Sequence, residues 1–382
     1  MKNPIDILFF VFALIFMLMS CDSPAEKEIQ ELTIRVDTVQ IDAGDELLFL
    51  KLGLDISGLS TDHRYLLNFD LEQHLLEKID LDCLVLDRKI PFEKEGPDGL
   101  RGIQSLKGWE REAIFFSTWN GAKVFDQSGK LDRSWELDPK GFSGDVLSDK
   151  ESLIGILIDP SGEQEAYGLA KAFRNEMVSF VRLDLAQNQI HRYSLPLFDK
   201  VGTYTASLND GENYAYHEVE TYLAIVDSGV LFGAETGSEF YLFDPKADTV
   251  KVVSSNSEWM ESENKTIGRD FASAGEFSAY FRQLMEGPHY LLPVYDAQNK
   301  RYWRLSYENY YESEKTEGLF PLPAGANVYL ALYDEELSLI QEAELPFLTE
   351  KPMRHFIKDG MLWLFVNLED ELGFVRLSIS GY

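Results

Sequence analysis

The sequence predicts an all-β domain assembled from repeated hairpins, and three observations carry that expectation. Apolar runs are short, rich in Val, Ile, Leu, Phe and Tyr and punctuated by Gly, Asp and Asn, with no long amphipathic helical pattern among them. Three segments share one pattern, an apolar strand ending in Asp, a polar turn and a second strand: 122–130 before 131–137, 180–189 before 190–195, and 240–248 before 249–253. The copies begin about 60 residues apart, longer than the roughly 40–50 of known propeller repeats, an excess that loop insertions account for.

Taken in order, the strand candidates are 32–39, 65–69, 113–117, 153–158, 180–183, 222–226, 290–294, 328–333 and 361–366. Two short helices are expected, at 166–173 and 274–285, and neither has the length or repetition of a βαβ fold. Weaker hairpin copies lie at 293–300 and 330–334, and Phe374-Val375-Arg376-Leu377 echoes Phe180-Val181-Arg182-Leu183. Hairpins repeated around a circle leave only short, protected edges. The expectation is therefore a β-propeller of six or seven blades over residues 32–382, with an early strand near 32–41 closing the ring onto the last blade. A large sandwich or a pair of β domains is the competing arrangement.

The chain begins with a different signal. Lys2 precedes an apolar run at 7–19, which ends in Leu18-Met19-Ser20-Cys21. At about 13 residues the run is shorter than the roughly 20 that span a bilayer, so residues 1–20 read as a signal peptide. The four residues ending at Cys21 resemble the bacterial lipobox. That resemblance implies lipid transfer to the Cys21 thiol, cleavage before it and acylation of the new terminus, which anchors the chain to a membrane of the cell envelope with its domain outside the cytoplasm. Residues 21–31 are polar and proline-broken, as a flexible tether would be.

Composition excludes some functions. With 35 basic against 65 acidic residues the formal charge is −30, and such a surface repels nucleic acid. The only cysteines are Cys21 and Cys83, so lipidation of the first leaves no internal disulfide. Cys83 lies in an alternating run at 79–85, with no His or cationic residue close by in sequence, and is expected as a small buried hydrophobe.

Ile90-Pro91-Phe92-Glu93-Lys94-Glu95-Gly96-Pro97-Asp98-Gly99 resembles the Gly-Pro turn of six-bladed propeller lipoproteins, and Tyr295-Asp296 with Tyr302-Trp303-Arg304-Leu305 adds to the likeness. The whole chain, lipobox included, is similar to a DUF4221-like lipoprotein family of Bacteroidetes whose function is not known. The resemblance implies fold and address, and it offers no catalytic residues to carry over.

Templates for chemistry find no match. The six histidines, His63, His74, His191, His217, His289 and His355, lack metal-ligand spacing, and His217-Glu218-Val219-Glu220 does not continue as a zinc helix. His217 and His289 are expected in exposed turns or at a strand edge. Asn209-Asp210-Gly211-Glu212-Asn213 reads as a hairpin turn and not as a calcium loop, and Gly141-Phe142-Ser143-Gly144 is not a nucleophile elbow. Most of the tryptophans, Trp109, Trp119, Trp135, Trp259, Trp303 and Trp363, are expected between blades, with Trp119 the best placed as an exposed platform. Tyr310-Tyr311 is a candidate contact surface. No cofactor, metal or catalytic residue is nominated. The expected role is binding or scaffolding, with an envelope protein, a peptide or a glycan as partner. The alternative is a glycan-active hydrolase or lyase working at the propeller channel, and convergent ionisable groups there would favour it.

Overall fold

The recurrent aspartate is a turn former. A carboxylate at a strand end accepts backbone N–H groups two to four residues on, and so folds the chain back on itself. Asp126 takes Ser128 N and Lys130 N at 2.8 and 3.1 Å, Asp184 takes Gln187 N at 2.8 Å, and Asp244 takes Lys246 N and Ala247 N at 2.8 and 3.2 Å. Asp334 takes Ser338 N at 2.7 Å, and Asp80 takes Asp82 N and Cys83 N at 2.9 and 3.0 Å. Each turn contains one residue of left-handed backbone: Leu84, Gly129, Asn188, Asp248 and Leu337.

The computed structural model describes residues 32–172, 178–254, 256–312 and 318–380. The expected signal peptide and tether, Cys21 included, lie outside them. The chain divides into two units. One is Arg35–Ser378; the other joins Met1–Ile34 to Ile379–Tyr382, and its described part is residues 32–34 and 379–380.

Strand β1 (Thr33–Gln40) comes first. Sheet one follows as β2 (Ser57–Leu59), β3 (Tyr65–Asp70), β4 (Leu75–Asp80) and β5 (Val85–Pro91). Sheet two is β6 (Ile103–Gly108), β7 (Ile114–Thr118), β8 (Gly121–Phe125) and β9 (Leu131–Glu136). In sheet three a short β10 (Ser143–Gly144) flanks β14 (Gln189–Tyr193), beyond β11 (Glu151–Ile158), β12 (Glu165–Ala172) and β13 (Val178–Asp184). Two interruptions surround sheet four: the helix Pro196–Val201 with the hairpin β15 (Ala206–Asn209) and β16 (Tyr214–His217), and later β21 (Asp270–Phe271) with the helix Ala274–Glu286. They join through parallel pairing of β15 with β21 as a three-stranded sheet.

Sheet four itself is β17 (Thr221–Val226), β18 (Gly229–Ala234), β19 (Phe240–Asp244) and β20 (Thr249–Val253). In sheet five, β22 (His289–Tyr290) and β23 (Val294–Asp296) both pair with β24 (Arg301–Tyr310), which precedes β25 (Gly325–Tyr333) and β26 (Leu339–Glu344). The last sheet is β27 (His355–Lys358), β28 (Met361–Leu368) and β29 (Glu371–Ser380), and its fourth strand is β1 from the other end of the sequence. Ile41 N donates to Leu372 O at 2.8 Å where β1 ends.

The first strands of neighbouring sheets touch, β2 with β6, β6 with β11 and β11 with β17. A Cβ on Gly58 in β2 would run into the Leu106 carbonyl of β6, so that close approach needs glycine. At the other edge, β1, β9, β20 and β26 are largely exposed or half-buried. Four-stranded hairpin sheets with their first strands inward, following one another and closed by the N-terminal strand, form a β-propeller.

Apolar side chains fill the seams. Phe69 and Ile90 of sheet one meet Phe116 and Phe125 of sheet two, and Phe115 and Val124 meet Ile156 and Val181 of sheet three. Phe180 stacks on Phe232 with centroids 4.2 Å apart across the third seam. Phe240 meets Tyr333 edge-on at 5.7 Å, and Trp363 and Phe374 pack with Leu66 and Ile79 where the last sheet meets the first. Each fully buried Phe is worth about 1.5–3 kcal/mol of burial free energy.

Three expectations change. Residues 165–172 form β12 and not a helix. This strand is central and buried on both faces, so the period-two alternation that marks a half-exposed strand is missing, and its Ala and Gly are there to fit close neighbours. Cys83 is exposed, because Asp80 ends the strand and draws Asp82 and Cys83 into its turn. His289 is fully buried at the start of β22 and not in an exposed turn. The helix Ala274–Glu286, the hairpin turn at 210–213 and the closing strand β1 stand as read from sequence.

Candidate functional site

Inner strands of a propeller run side by side, so the residues that precede them gather at one end of the ring. Asp55 precedes β2, His217 ends β16 just ahead of Glu220 and β17, His289 starts β22, and Lys351 and Arg354 precede β27. Glu235 follows β18 and reaches the same place: its Oε1 accepts Glu220 N at 3.0 Å and its Oε2 lies 3.3 Å from His289 Nδ1. His289 Nε2 lies 3.2 Å from Leu284 O, and the ring stacks on Tyr307 at 4.9 Å. Lys351 Nζ stands 5.6 Å over the Tyr307 ring and 4.0 Å from Glu220 Oε1.

Electrostatics differ from group to group. Burial pushes the Glu235 carboxyl up, but the hydrogen bond and charge of His289 outweigh it and hold the carboxyl down at about 2. Burial raises Glu220, and the neighbouring Glu235 charge adds to the rise; because the Glu220 side chain is 71% exposed, solvent screens much of this. Burial also raises Asp55 against the pull of Lys351 and Arg354, and it lowers Arg354 and His217. On β6, Lys107 is brought down to about 8 by burial, with its Nζ 5.3 Å from the Phe115 centroid and 5.7 Å from that of Trp109.

A second feature lies on the rim. Trp119 sits in the β7–β8 turn with 72% of its surface exposed. One face of its indole lies against Gly102, where a Cβ would stand 3.2 Å from the ring and where φ is +63°, so glycine there both permits the backbone and seats the ring. Trp119 and Gly102 both line an open groove of about 1310 Å³, together with Trp135, Asn120, Arg101, Lys123, Glu136 and Lys140 among others. Trp135 is half-buried and its ring centroid lies 6.3 Å from that of Trp109.

The sequence-nominated residues fall into separate places. Trp109, Trp303 and Trp363 are core, as expected, while Trp259 is 48% exposed. Tyr310 is 42% exposed, whereas Tyr311 is half-buried beneath the Arg282 guanidinium at 4.8 Å. The Tyr295–Arg304 motif is a buried hydrogen-bonded cluster: Arg301 Nε and Trp303 Nε1 donate to Asp296 Oδ2 at 3.3 and 3.2 Å, and Arg304 Nε donates to Leu291 O at 2.9 Å. Asp55, Glu235, Lys351 and Arg354 were missed, because they come from three separate loops with no motif around them, and Glu220 was met only as the end of the His217-Glu218-Val219-Glu220 run. Among the described residues no group of three or more His, Cys, Asp or Glu is placed to hold a metal ion, and no helix is long and apolar enough to cross a membrane.

Sheets closed about inner strands, with a polar mouth at their starts and a groove on the rim, define the protein as a β-propeller. More particularly, the chain belongs to the DUF4221 family, a domain of unknown function that matches residues 29–344. A DUF4221 member from Bacteroides vulgatus superimposes with a TM-score of 0.66 at 13% identity, over 92% of this chain and 99% of that one. A Bacteroides fragilis protein described as exported gives 0.50 at 10% identity, over 91% and 95%. No curated protein matches.

Proposed function

We propose that the protein is a lipid-anchored, extracytoplasmic binding propeller of six blades, tethered through Cys21, that holds a glycan chain in the rim groove. The observation that carries this reading is Trp119. An indole 72% exposed loses the burial energy that normally places tryptophan in a core, and here its backing by Gly102 keeps one flat face presented. Flat aromatic faces suit the C–H faces of sugars, and Asn120, Arg101, Glu136 and Lys140 supply donors and acceptors for hydroxyls around it. The description of the Bacteroides fragilis protein as exported is in keeping with that address.

The test is retention of the detergent-solubilised full chain on a glycan array. Trp119→Ala is expected to weaken binding about tenfold or more while leaving the circular dichroism spectrum unchanged. Equal retention by the variant would remove the groove from consideration. Separately, Cys21→Ala is expected to abolish fatty-acid labelling, and persistent labelling would refute the anchor.

A second reading, a glycan-active hydrolase or lyase, has one observation in its favour. Asp55, raised by burial, and the more exposed Glu220 lie within electrostatic reach of each other at the channel mouth. Turnover of a polysaccharide that disappears in Glu220→Gln would establish it over simple binding.

A further inference from the structure

We propose that the channel mouth is an anion site, separate from the rim groove, in which Arg354 takes the carboxylate of a small monoanionic ligand. The other cations there already have acidic neighbours. Lys171 is committed to Glu218 at 3.1 Å, Lys351 lies 4.0 Å from Glu220, and His289 faces Glu235 at 3.3 Å. Arg354 is the exception. It has no ion pair among the described residues, its Nε is buried without a hydrogen-bond partner, and it is linked to Asp55 only through space.

A buried N–H left unbonded costs about 1–3 kcal/mol, so such donors are normally supplied with an acceptor. His217 Nε2, which feels the charges of Glu235 and Lys351, is likewise buried and unbonded. Guanidinium offers a planar fork that matches a carboxylate with two parallel bonds. Asp55 and Glu220 nearby disfavour a dianion such as phosphate more than a single negative charge, and this selects the carboxylate.

The probe is lactate, with inorganic phosphate as the competing anion and sodium chloride as the ionic-strength control. Binding is followed by saturation-transfer NMR on the detergent-solubilised full chain. Lactate is expected to bind saturably; Arg354→Lys, which keeps the charge and loses the fork, raises Kd about tenfold, and Arg354→Gln abolishes binding. Asp55→Asn removes the repelling carboxylate and is expected to tighten lactate several-fold. That gain is one a merely destabilised fold does not produce, so it decides the matter if the Arg354 variants fail to fold. Absence of saturable lactate binding, phosphate binding tighter than lactate, or an unchanged affinity in Asp55→Asn would each overturn the proposal.

Discussion

Glu235 keeps its charge where little water reaches it, and His289, the Glu220 amide and the nearby charge of Lys351 make that tolerable. Its folded pKa of about 2 lies below the ordinary value of 4.5, so the stability it contributes is fully present above pH 4.5 and is lost as pH falls toward 2. The contribution is of order 3 kcal/mol. Glu235→Gln is therefore expected to lower stability at pH 7 and to flatten the acid limb between those pH values, as followed by urea unfolding across pH. Lys107 has the opposite sign. Its depressed pKa means that the charged form is disfavoured on folding, so stability rises as pH passes from about 8 toward 10.5. Lys107→Met should raise Tm at neutral pH by removing that penalty, partly offset by the lost contacts with Phe115 and Trp109. Trp119 was legible in sequence because a turn, Asn120-Gly121, follows it directly. Arg354 was not, since its significance comes from what Asp55, some 300 residues away, fails to do for it.

At the scale of elements, what could be read was what is local. The aspartate hairpins stood out because cap, turn and both strands lie within about ten residues of one another. They join the third and fourth strands of the first five sheets, at Asp80, Asp126, Asp184, Asp244 and Asp334. Sheet six carries no copy because its fourth strand is β1, which explains why the repeat fades near the C-terminus. Between the copies at 180 and 240 the long spacing has a cause, since the helix Pro196–Val201 and the hairpin of β15 and β16 are inserted there. Asp244→Ala is expected to destabilise the domain by about 1 kcal/mol and to raise hydrogen exchange first at Lys246 and Ala247, whose amides it holds. The reading of 166–173 as a helix failed for a nonlocal reason, because burial on both faces of β12 comes from strands on either side.

For the whole molecule, the six sheets of four or more strands found among the described residues predict one cooperative unit, in which no blade is stable alone. Single-blade deletions should abolish the folded state, and survival of a soluble half would argue for two domains. The seam between the last sheet and the first holds Trp363 and Phe374 against Leu66 and Ile79, so it is as apolar as the others. What differs there is chain connectivity: β1 and β29 are neighbours, and Arg376 pairs with Asp37 across 339 residues of sequence.

That closure also sets an order of events. A ribosome makes β1 first and β29 last, so throughout synthesis β1 has no partner, and its N–H and C=O groups form an open strand edge. The search that ends this state is among the longest the chain has to make, and contacts so far apart slow folding. The ring is thus vulnerable for as long as the C-terminus is unfinished or withheld. A chain ending before Glu371 never leaves that state, and it should be captured by added β29 peptide or, failing that, pair edge to edge with its own copies.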